Sequence, residues 1–127
     1  MCIRDSQHGG FAEGDTLTGI GTVTGSAYAD TLTGDANANV LKGGAGDDVL
    51  VGHGGADTLD GGIGTDTASY ADSAAGVQVD LTAAVQHGGD AEGDTLVSIE
   101  NVTGSAYNDT LTGDANANVL KLSLIHI

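Results

Sequence analysis

Single apolar residues recur at a fixed interval of nine positions in the first half of the chain. They are Leu32, Leu41, Leu50 and Leu59, and the residues beside them are threonine, valine, lysine or aspartate. In an extended segment successive side chains point to opposite sides, so the leucine faces inward and its neighbours face outward. The pattern predicts three-residue β-strands that each place one leucine in a core.

Six small or polar residues separate one predicted strand from the next. A strand of three residues cannot bury its apolar side chain alone and needs stacked neighbours, as in a solenoid. Disorder is the alternative interpretation. A disordered low-complexity chain, however, would have no reason to keep its leucines in phase, so we expect a stacked β-structure.

Composition alone would favour disorder. The chain has 18 acidic residues against three basic ones, a formal charge of -15, 22 glycines, one phenylalanine and no proline or tryptophan. Such a chain has few large side chains for a globular core, and its negative charge opposes compaction. We expect it to be largely disordered without cations and to fold when cations bind.

The most regular loops combine three glycines with a closing aspartate. Gly43, Gly44 and Gly46 permit positive φ angles that bring carbonyl oxygens together, and Asp48 adds a carboxylate. The next loop of this kind contains Gly61, Gly62, Gly64 and Asp66. Oxygen donors suit Ca²⁺, whereas Zn²⁺ prefers nitrogen and sulfur. These loops therefore predict calcium binding.

The segment from Gly43 to Ser69 reads GGAGDDVLV, GHGGADTLD and GGIGTDTAS, three consecutive nine-residue units. Two of these match the motif G-G-x-G-x-D-x-U-x closely, and the run resembles the hemolysin-type (RTX) calcium-binding nonapeptide repeats. The resemblance implies an all-β fold, a parallel β-roll (right-handed β-solenoid) with calcium-binding Gly/Asp loops and an irregular β insert. It also implies a larger secreted bacterial protein that is exported by type I secretion.

In a roll of this family two units make one turn, so loops two units apart face each other on one edge. The resemblance therefore pairs the loops that begin at Gly43 and Gly61, and Asp48 with Asp66 becomes the best calcium pair. Asp30 with Asp48 ranks second, because Tyr28 occupies a glycine position in the loop that ends at Asp30.

The other edge is expected to be weaker. Its loops pair Asn39 with Asp57, and Asn39 offers a neutral oxygen in place of a carboxylate. Asn37 takes a glycine position but tolerates the left-handed region. His53 occupies the second place of its loop, and we expect its side chain simply to face solvent.

A longer repeat overlies the nonapeptides. Residues 7–42 recur as residues 86–121, with 30 of 36 positions identical. Differences include Phe11 against Asp90, Gly21 against Glu100 and Ala29 against Asn108. The offset of 79 is not a multiple of nine, so an insert of another kind must lie between the copies.

That insert begins after Ser69, where the glycine loops stop. Val77 to Leu81 alternates apolar and polar residues and predicts a half-buried strand. Further on, Leu96, Ile99 and Val102 lie three apart, which suits coil corners or a short helical turn, and we favour irregular β-solenoid. Loops resume at 104–109 and 113–118 on opposite edges, so each should lack a stacking partner.

The two ends of the chain do not continue the repeat phase. MCIRDS and LSLIHI resemble translated sequencing-adapter reads, and we expect both to be artefacts. The alternative is a genuine start and a genuine apolar edge strand. Cys2, the only cysteine, lies in the first of these segments, so the remainder has none, as fits an extracellular protein stabilised by metal.

The division of the chain is 1–6 and 122–127 as artefact segments, 7–24 as an irregular β-solenoid lead-in, 25–69 as a β-roll of five nonapeptides, 70–103 as a β insert and spacer, and 104–121 as the start of a second β-roll.

The sequence favours a calcium-dependent folding and structural module that is secreted, with calcium ions and the flanking repeats of its own parent chain as partners. It contains no G-x-S-x-G, H-E-x-x-H or Cys-His arrangement, so we expect no enzyme active site here. The acidic surface argues against nucleic acid and direct membrane insertion.

Two alternatives stay open. Outward threonines such as Thr31, Thr33, Thr58 and Thr67 could form a flat ladder that recognises an extracellular glycan, a surface or ice. Val49 and Val51 are among the residues that interrupt such a row. In the other alternative the chain is an accessory repeat of a secreted protease or lipase, and it differs from the leading hypothesis only through sequence outside this chain.

Overall fold

The computed structural model of the chain describes residues 2–4, 21–115 and 118–121. Within them the regular structure consists of β-strands and one short 3₁₀-helix at Gly89–Ala91. The strands are β1 (Cys2–Arg4), β2 (Thr22–Thr24), β3 (Thr31–Thr33), β4 (Val40–Ala45), β5 (Val49–Val51), β6 (Thr58–Ile63), β7 (Thr67–Ser69), β8 (Gln78–Asp80), β9 (Thr95–Val97), β10 (Asn101–Thr103), β11 (Thr110–Thr112) and β12 (Val119–Lys121).

From β2 to β7, consecutive strands alternate between two parallel sheets. The first sheet has the order β1-β2-β4-β6-β9 and the second has the order β12-β10-β7-β5-β3. A third, two-stranded sheet pairs β11 with β8, also in parallel. Because each nonapeptide crosses from one large sheet to the other, two units make one turn. The predicted all-β fold and parallel β-roll are confirmed.

The leucine column forms the core between the two large sheets. Leu32, Leu41, Leu50 and Leu59 are all at most 1% exposed. Leu41 is in register with Leu59 in the first sheet, and Leu32 is in register with Leu50 in the second. The inward direction that the nine-residue period predicts is therefore confirmed.

The insert contains the predicted half-buried strand. Val77 and Val79 are buried on either side of the exposed Gln78. At the end of the insert, β9 pairs with β6 and β10 pairs with β7. Residues 95–103 form two strands with a bend between them, so the solenoid interpretation of this stretch is correct and the helical turn is not formed.

The expectation that the two later loops lack stacking partners was wrong. The backbone N–H of Val77 donates to Oδ1 of Asp109 at 2.9 Å, so the insert itself stacks against loop 104–109. In the next loop, Nδ2 of Asn118 donates to the carbonyl oxygen of Glu100 at 2.8 Å. A strand without the nonapeptide signature supplies the missing neighbour, because parallel pairing depends on the backbone and not on the loop sequence.

The strand register breaks any continuous threonine ladder. Thr31 lies beside Val49, which lies beside Thr67 in the second sheet. In the first sheet Val40 separates Thr22 from Thr58. In these outward rows, a valine therefore lies between two threonines.

At the start of the chain, β1 pairs in parallel with β2 at the end of the first sheet. Residue 1, residues 5–20 and residues 122–127 lie outside the described residues, as does most of the predicted lead-in at 7–24. The domain boundaries and the artefact origin of both terminal hexapeptides stay predictions. Among the described residues, no helix has the length and apolar character to cross a membrane.

Candidate functional site

The loops form one column on each edge of the roll. Loops 25–30, 43–48 and 61–66 lead from the first large sheet to the second and stack on what we call the first edge. Loops 34–39 and 52–57 lead back and stack on the second edge. This is the division between two edges that the resemblance implies.

On the first edge, acidic side chains link each turn to the preceding one. The N–H of Asp30 donates to Oδ1 of Asp48 at 2.8 Å, and the N–H of Asp48 donates to Oδ1 of Asp66 at 2.9 Å. The N–H of Asp66 then donates to Oε2 of Glu100 at 2.9 Å. One carboxylate oxygen of each acceptor is therefore used to hold neighbouring turns together.

The second carboxylate oxygen of several loop aspartates is buried without a partner among the described residues. The Oδ2 atoms of Asp48, Asp57 and Asp66 are buried and have no hydrogen-bond partner among the described residues, and the same holds for Oδ2 of Asp109. The first three residues are at most 1% exposed. A buried carboxylate oxygen without a donor is costly, so these positions call for a cation or a proton.

These oxygens lie against a backbone that has room for them only because of glycine. A Cβ atom at Gly43 would collide with Oδ2 of Asp48 and lie 2.7 Å from the carbonyl oxygen of Gly61. The same position at Gly25 would lie 2.6 Å from both Oδ2 of Asp30 and the carbonyl oxygen of Gly43. On the first edge, a carboxylate oxygen of one turn and a carbonyl oxygen of the next therefore converge at the first glycine of these loops.

The other predicted glycines adopt conformations that disfavour any side chain. The φ angles are 103° at Gly44, 109° at Gly46, 92° at Gly62 and 129° at Gly64. Positive φ is readily adopted only by glycine, so the loop signature is a backbone requirement. Hard cations take carbonyl and carboxylate oxygens together, which is the donor set that these loops bring close.

A family model described as the RTX calcium-binding nonapeptide repeat (4 copies) matches residues 10–44, 33–68 and 98–122. This chain belongs to the RTX calcium-binding nonapeptide repeat family. Ca²⁺ is the ion that these repeats bind, and the family is a structural calcium-binding module and not a catalytic one. No curated protein and no solved structure matched the chain.

In the less regular RTX loop at 25–30, the closing aspartate accepts hydrogen bonds from a residue of the same loop. The N–H of Ser26 donates to Oδ2 of Asp30 at 2.6 Å, and the Ser26 hydroxyl donates to the same oxygen at 3.0 Å. Tyr28 occupies the fourth place of its loop, where Gly46 has a positive φ in the next loop of this edge. Tyr28 has no positive φ, because its side chain disfavours that conformation. This loop joins the first-edge column, but its carboxylate is already partnered.

The RTX loop at 34–39 is closed in a similar way. The N–H of Asp35 donates to Oδ1 of Asn39 at 2.8 Å, and the N–H of Asn37 donates to Oδ1 of Asp35 at 2.9 Å. Asn37 can tolerate the left-handed region, but no residue between 25 and 39 has a positive φ. Side-chain turns replace the glycine conformation in this loop.

The middle RTX loop, 52–57, is more regular than its sequence suggests. His53 adopts a φ of 66°, and Gly55 adopts a φ of 92°. The loop therefore has the same left-handed second and fourth positions as its glycine-rich neighbours. The expectation that His53 simply faces solvent overlooked this, since the residue is half-buried and its backbone conformation is uncommon for a side chain of this kind.

The second edge continues through an aspartate that sequence reasoning missed. The N–H of Asn39 donates to Oδ1 of Asp57 at 2.8 Å, and the N–H of Asp57 donates to Oδ1 of Asp94 at 2.8 Å. The Tyr70 hydroxyl donates to Oδ2 of Asp94 at 2.9 Å. Both oxygens of Asp94 are therefore partnered, and this column ends in a hydrogen bond.

A short motif could have identified Asp94. The tripeptide Asp-Thr-Leu starts at Asp30, Asp57 and Asp109, and it recurs at Asp94 inside the insert. In each case the aspartate precedes a strand and the leucine is that strand's central residue. Glu100 carries no such signal, because it belongs to no nonapeptide and only the fold brings it under Asp66.

Burial raises the pKa of the loop aspartates. Desolvation is the main cause, and it raises the pKa of Asp48 to about 6, with Asp66 and Asp30 adding like-charge repulsion. The pKa of Asp57 is raised to about 8 by burial, with a contribution from Asp94. Burial also raises the pKa of Asp66. Negative charge is thus disfavoured in these loops unless a cation accompanies it.

The donor set fits calcium and not a transition metal. Within residues 2–4, 21–115 and 118–121, no group of three or more His, Cys, Asp or Glu side chains converges on one point. Each pair of facing loops on the first edge instead offers two closing aspartates, and backbone carbonyls must supply the other ligands. Calcium accepts such a mixture of carboxylate and carbonyl oxygens, whereas zinc sites are built from cysteine and histidine.

Proposed function

We propose that the chain is a calcium-dependent folding and structural module of a larger secreted protein. The observation that carries this proposal is the unpartnered Oδ2 atom of Asp48, Asp57 and Asp66, buried in a chain with a formal charge of -15. A calcium ion would satisfy these oxygens and also reduce the repulsion that opposes folding.

The principal site is that of Asp48 and Asp66. Its ligands are the two carboxylates and carbonyl oxygens of loops 43–48 and 61–66, whose glycines hold the backbone in place. The support for this ranking is that both Oδ2 atoms lack a partner, whereas Oδ2 of Asp30 is bonded by Ser26.

The second edge is a weaker counterpart. Asp57 provides an unpartnered carboxylate oxygen, while Asn39 provides a neutral amide that already accepts from the N–H of Asp35. Fewer charged ligands mean lower calcium affinity. We therefore rank the site of Asn39 and Asp57 below the two pairs that include Asp48.

Calcium binding and folding are coupled in this proposal. Each turn buries two leucine-sized side chains from strands of a few residues, which is little apolar surface for the number of residues ordered. Binding energy from the loops must therefore supply part of the folding free energy. Flanking repeats of the same parent chain would extend both edges.

The calcium affinity expected for such a module determines in which compartment it folds. Extracellular calcium modules bind at roughly 0.1 to 1 mM, so a module of this class would stay unfolded in the cytosol and fold outside. Secretion of the parent, by the type I route that the RTX family implies, is consistent with a chain that folds only after export. Any catalytic, adhesive or pore-forming activity of the parent would belong to sequence outside this chain.

Far-UV circular dichroism of the full chain during calcium titration tests the proposal. We expect a coil spectrum that converts to a β spectrum below about 10 mM calcium, on the order of ten times the weakest class of such sites. Magnesium at the same concentration is the control, and it should not reproduce the change, because it demands smaller and more regular coordination. A coil spectrum that calcium leaves unchanged would contradict the proposal.

A further inference from the structure

The first edge does not stop where the nonapeptides stop. After Asp66 the chain leaves for the insert and returns as the segment Ser98–Glu100, which lies beside loop 61–66. This segment has neither the glycines nor the aspartate of the nonapeptide signature. It nevertheless takes the place that the next nonapeptide loop would occupy.

The carbonyl oxygen of Ser98 lies where a loop glycine carbonyl lies in the preceding turn. At Gly43, an added Cβ would meet Oδ2 of Asp48 and the carbonyl oxygen of Gly61. At Gly61, an added Cβ would meet Oδ2 of Asp66 and the carbonyl oxygen of Ser98. The same two kinds of oxygen converge in both places, although Ser98 belongs to the insert.

Glu100 takes over the role of the loop aspartate. Its Oε2 atom accepts from the N–H of Asp66 at 2.9 Å, just as Oδ1 of Asp66 accepts from the N–H of Asp48 at the same distance. The longer side chain compensates for a backbone that does not follow the nonapeptide path. The segment thus brings a carboxylate and a carbonyl oxygen to Asp66.

A buried atom at this junction requires a partner. Asp66 is 0% exposed, and its Oδ2 atom has no hydrogen-bond partner in the part of the chain that the structure describes. The backbone of Ser98 is held at a φ of 52°, a left-handed conformation that glycine occupies in the regular loops. In the first copy of the long repeat, the positions of Ser98 and Glu100 are Gly19 and Gly21, so the second copy alone offers a carboxylate here.

We propose that Asp66, the carbonyl oxygen of Ser98 and Glu100 form an additional calcium site at the junction of the β-roll and the insert. This site rests on the proposed function, since it extends the same column by one ion. On the second edge, the residue that corresponds to Glu100 is Asp94, and both of its carboxylate oxygens already accept hydrogen bonds, from the N–H of Asp57 and the hydroxyl of Tyr70. The junction site would anchor the returning chain to the roll through a metal ion on one edge and a hydrogen bond on the other.

Calcium stoichiometry of the full chain tests the junction site, measured by isothermal titration and equilibrium dialysis. Glu100→Gln keeps an oxygen that can accept from Asp66 but removes the charge. Glu92→Gln removes the same charge from an exposed residue that contacts His87, and it is the matched control. We expect Glu100→Gln to lose one bound calcium ion, or to weaken one site about tenfold or more, and Glu92→Gln to match the wild type.

The outcomes separate the two proposals. A wild-type chain that neither binds calcium nor folds with it would overturn the proposed function together with the junction site. A wild type that binds and folds, with a Glu100→Gln variant that titrates like Glu92→Gln, overturns the junction site alone.

If Glu100→Gln does not fold at saturating calcium, the comparison passes to Glu100→Asp, which keeps the charge on a shorter side chain. Folding of Glu100→Asp with one weakened site supports the proposal; wild-type affinity at every site, or failure to fold, overturns it.

Discussion

Asp48 and Asp66 are joined across one turn of the roll, with the N–H of Asp48 donating to Oδ1 of Asp66 at 2.9 Å. That bond uses one oxygen of the Asp66 carboxylate and leaves the other buried without a partner. The same side chain therefore fixes the stacking of two turns and presents an oxygen to a cation. Folding and calcium binding therefore depend on the same pair of residues.

Removal of the Asp48 carboxylate should weaken calcium binding more than removal of the Asn39 amide. Asp48→Ala deletes a charged oxygen that has no protein partner, and we expect the calcium midpoint of folding to rise about tenfold or more. Asn39→Ala removes a neutral oxygen that the N–H of Asp35 already uses, so the rise should be smaller. Calcium titration followed by circular dichroism measures both, and equal effects would reject the ranking of sites.

The first glycine of a regular loop should not tolerate even a methyl group. In Gly43→Ala the new Cβ would collide with Oδ2 of Asp48, and overpacking of this kind costs about 1–3 kcal/mol. Gly54→Ala is the matched control, because the nearest atom to its new Cβ would be 3.9 Å away. We expect a large rise in the calcium midpoint for Gly43→Ala only. Similar midpoints for the two variants would show that the space at Gly43 is not required.

Once calcium is saturating, the stability of the folded chain should depend on the buried leucine column. Leu50 is fully buried between the sheets, so Leu50→Ala should destabilise the folded chain by about 2–5 kcal/mol through lost burial and the cavity left behind. Val51→Ala changes the outward, half-buried neighbour and should cost less. Thermal unfolding in saturating calcium compares the two, and a smaller effect at Leu50 would contradict the inward assignment.

Calcium affinity should rise with pH. In the calcium-free fold the pKa values of Asp48 and Asp57 are raised from the ordinary 3.8 to about 6 and about 8, so that fold takes up protons. Its stability is therefore greatest below about pH 4 and falls as the pH rises through both values. Calcium requires the ionised carboxylates, so proton competition weakens binding at low pH.

Titrations between about pH 5 and pH 8 should show the calcium midpoint falling steadily, with protons released on binding. Asp57→Asn removes the carboxylate whose pKa is raised to about 8 and should make the upper part of this dependence shallower. A midpoint that does not change with pH would contradict the burial of these carboxylates.

The regular part of the fold was predictable because its physics is local. The nine-residue period fixes which residue of each strand points inward, and the predicted leucines Leu41 and Leu59 are in register in the first sheet. Glycine at positions such as Gly44 follows from a positive φ that other residues disfavour. These signals need no knowledge of distant contacts.

The insert was not predictable in the same way. Glu100 reaches Asp66 only because the chain returns after 34 residues, and nothing in the residues beside it announces that return. Likewise the contact of Val77 with Asp109 depends on backbone pairing between segments of unrelated sequence. The positive φ of His53 was not expected because histidine disfavours that conformation, although His53 occupies the place of Gly44 and Gly62 in the repeat.

Small-angle X-ray scattering of the full chain with and without calcium tests the central claim most directly, because it measures compaction itself. For a chain of this length the radius of gyration is about 14 Å when compact and about 37 Å when unfolded. We predict a value near the larger figure in a calcium chelator and a value below about 20 Å in saturating calcium. Equal radii in the two conditions, whether compact or expanded, would contradict calcium-dependent folding.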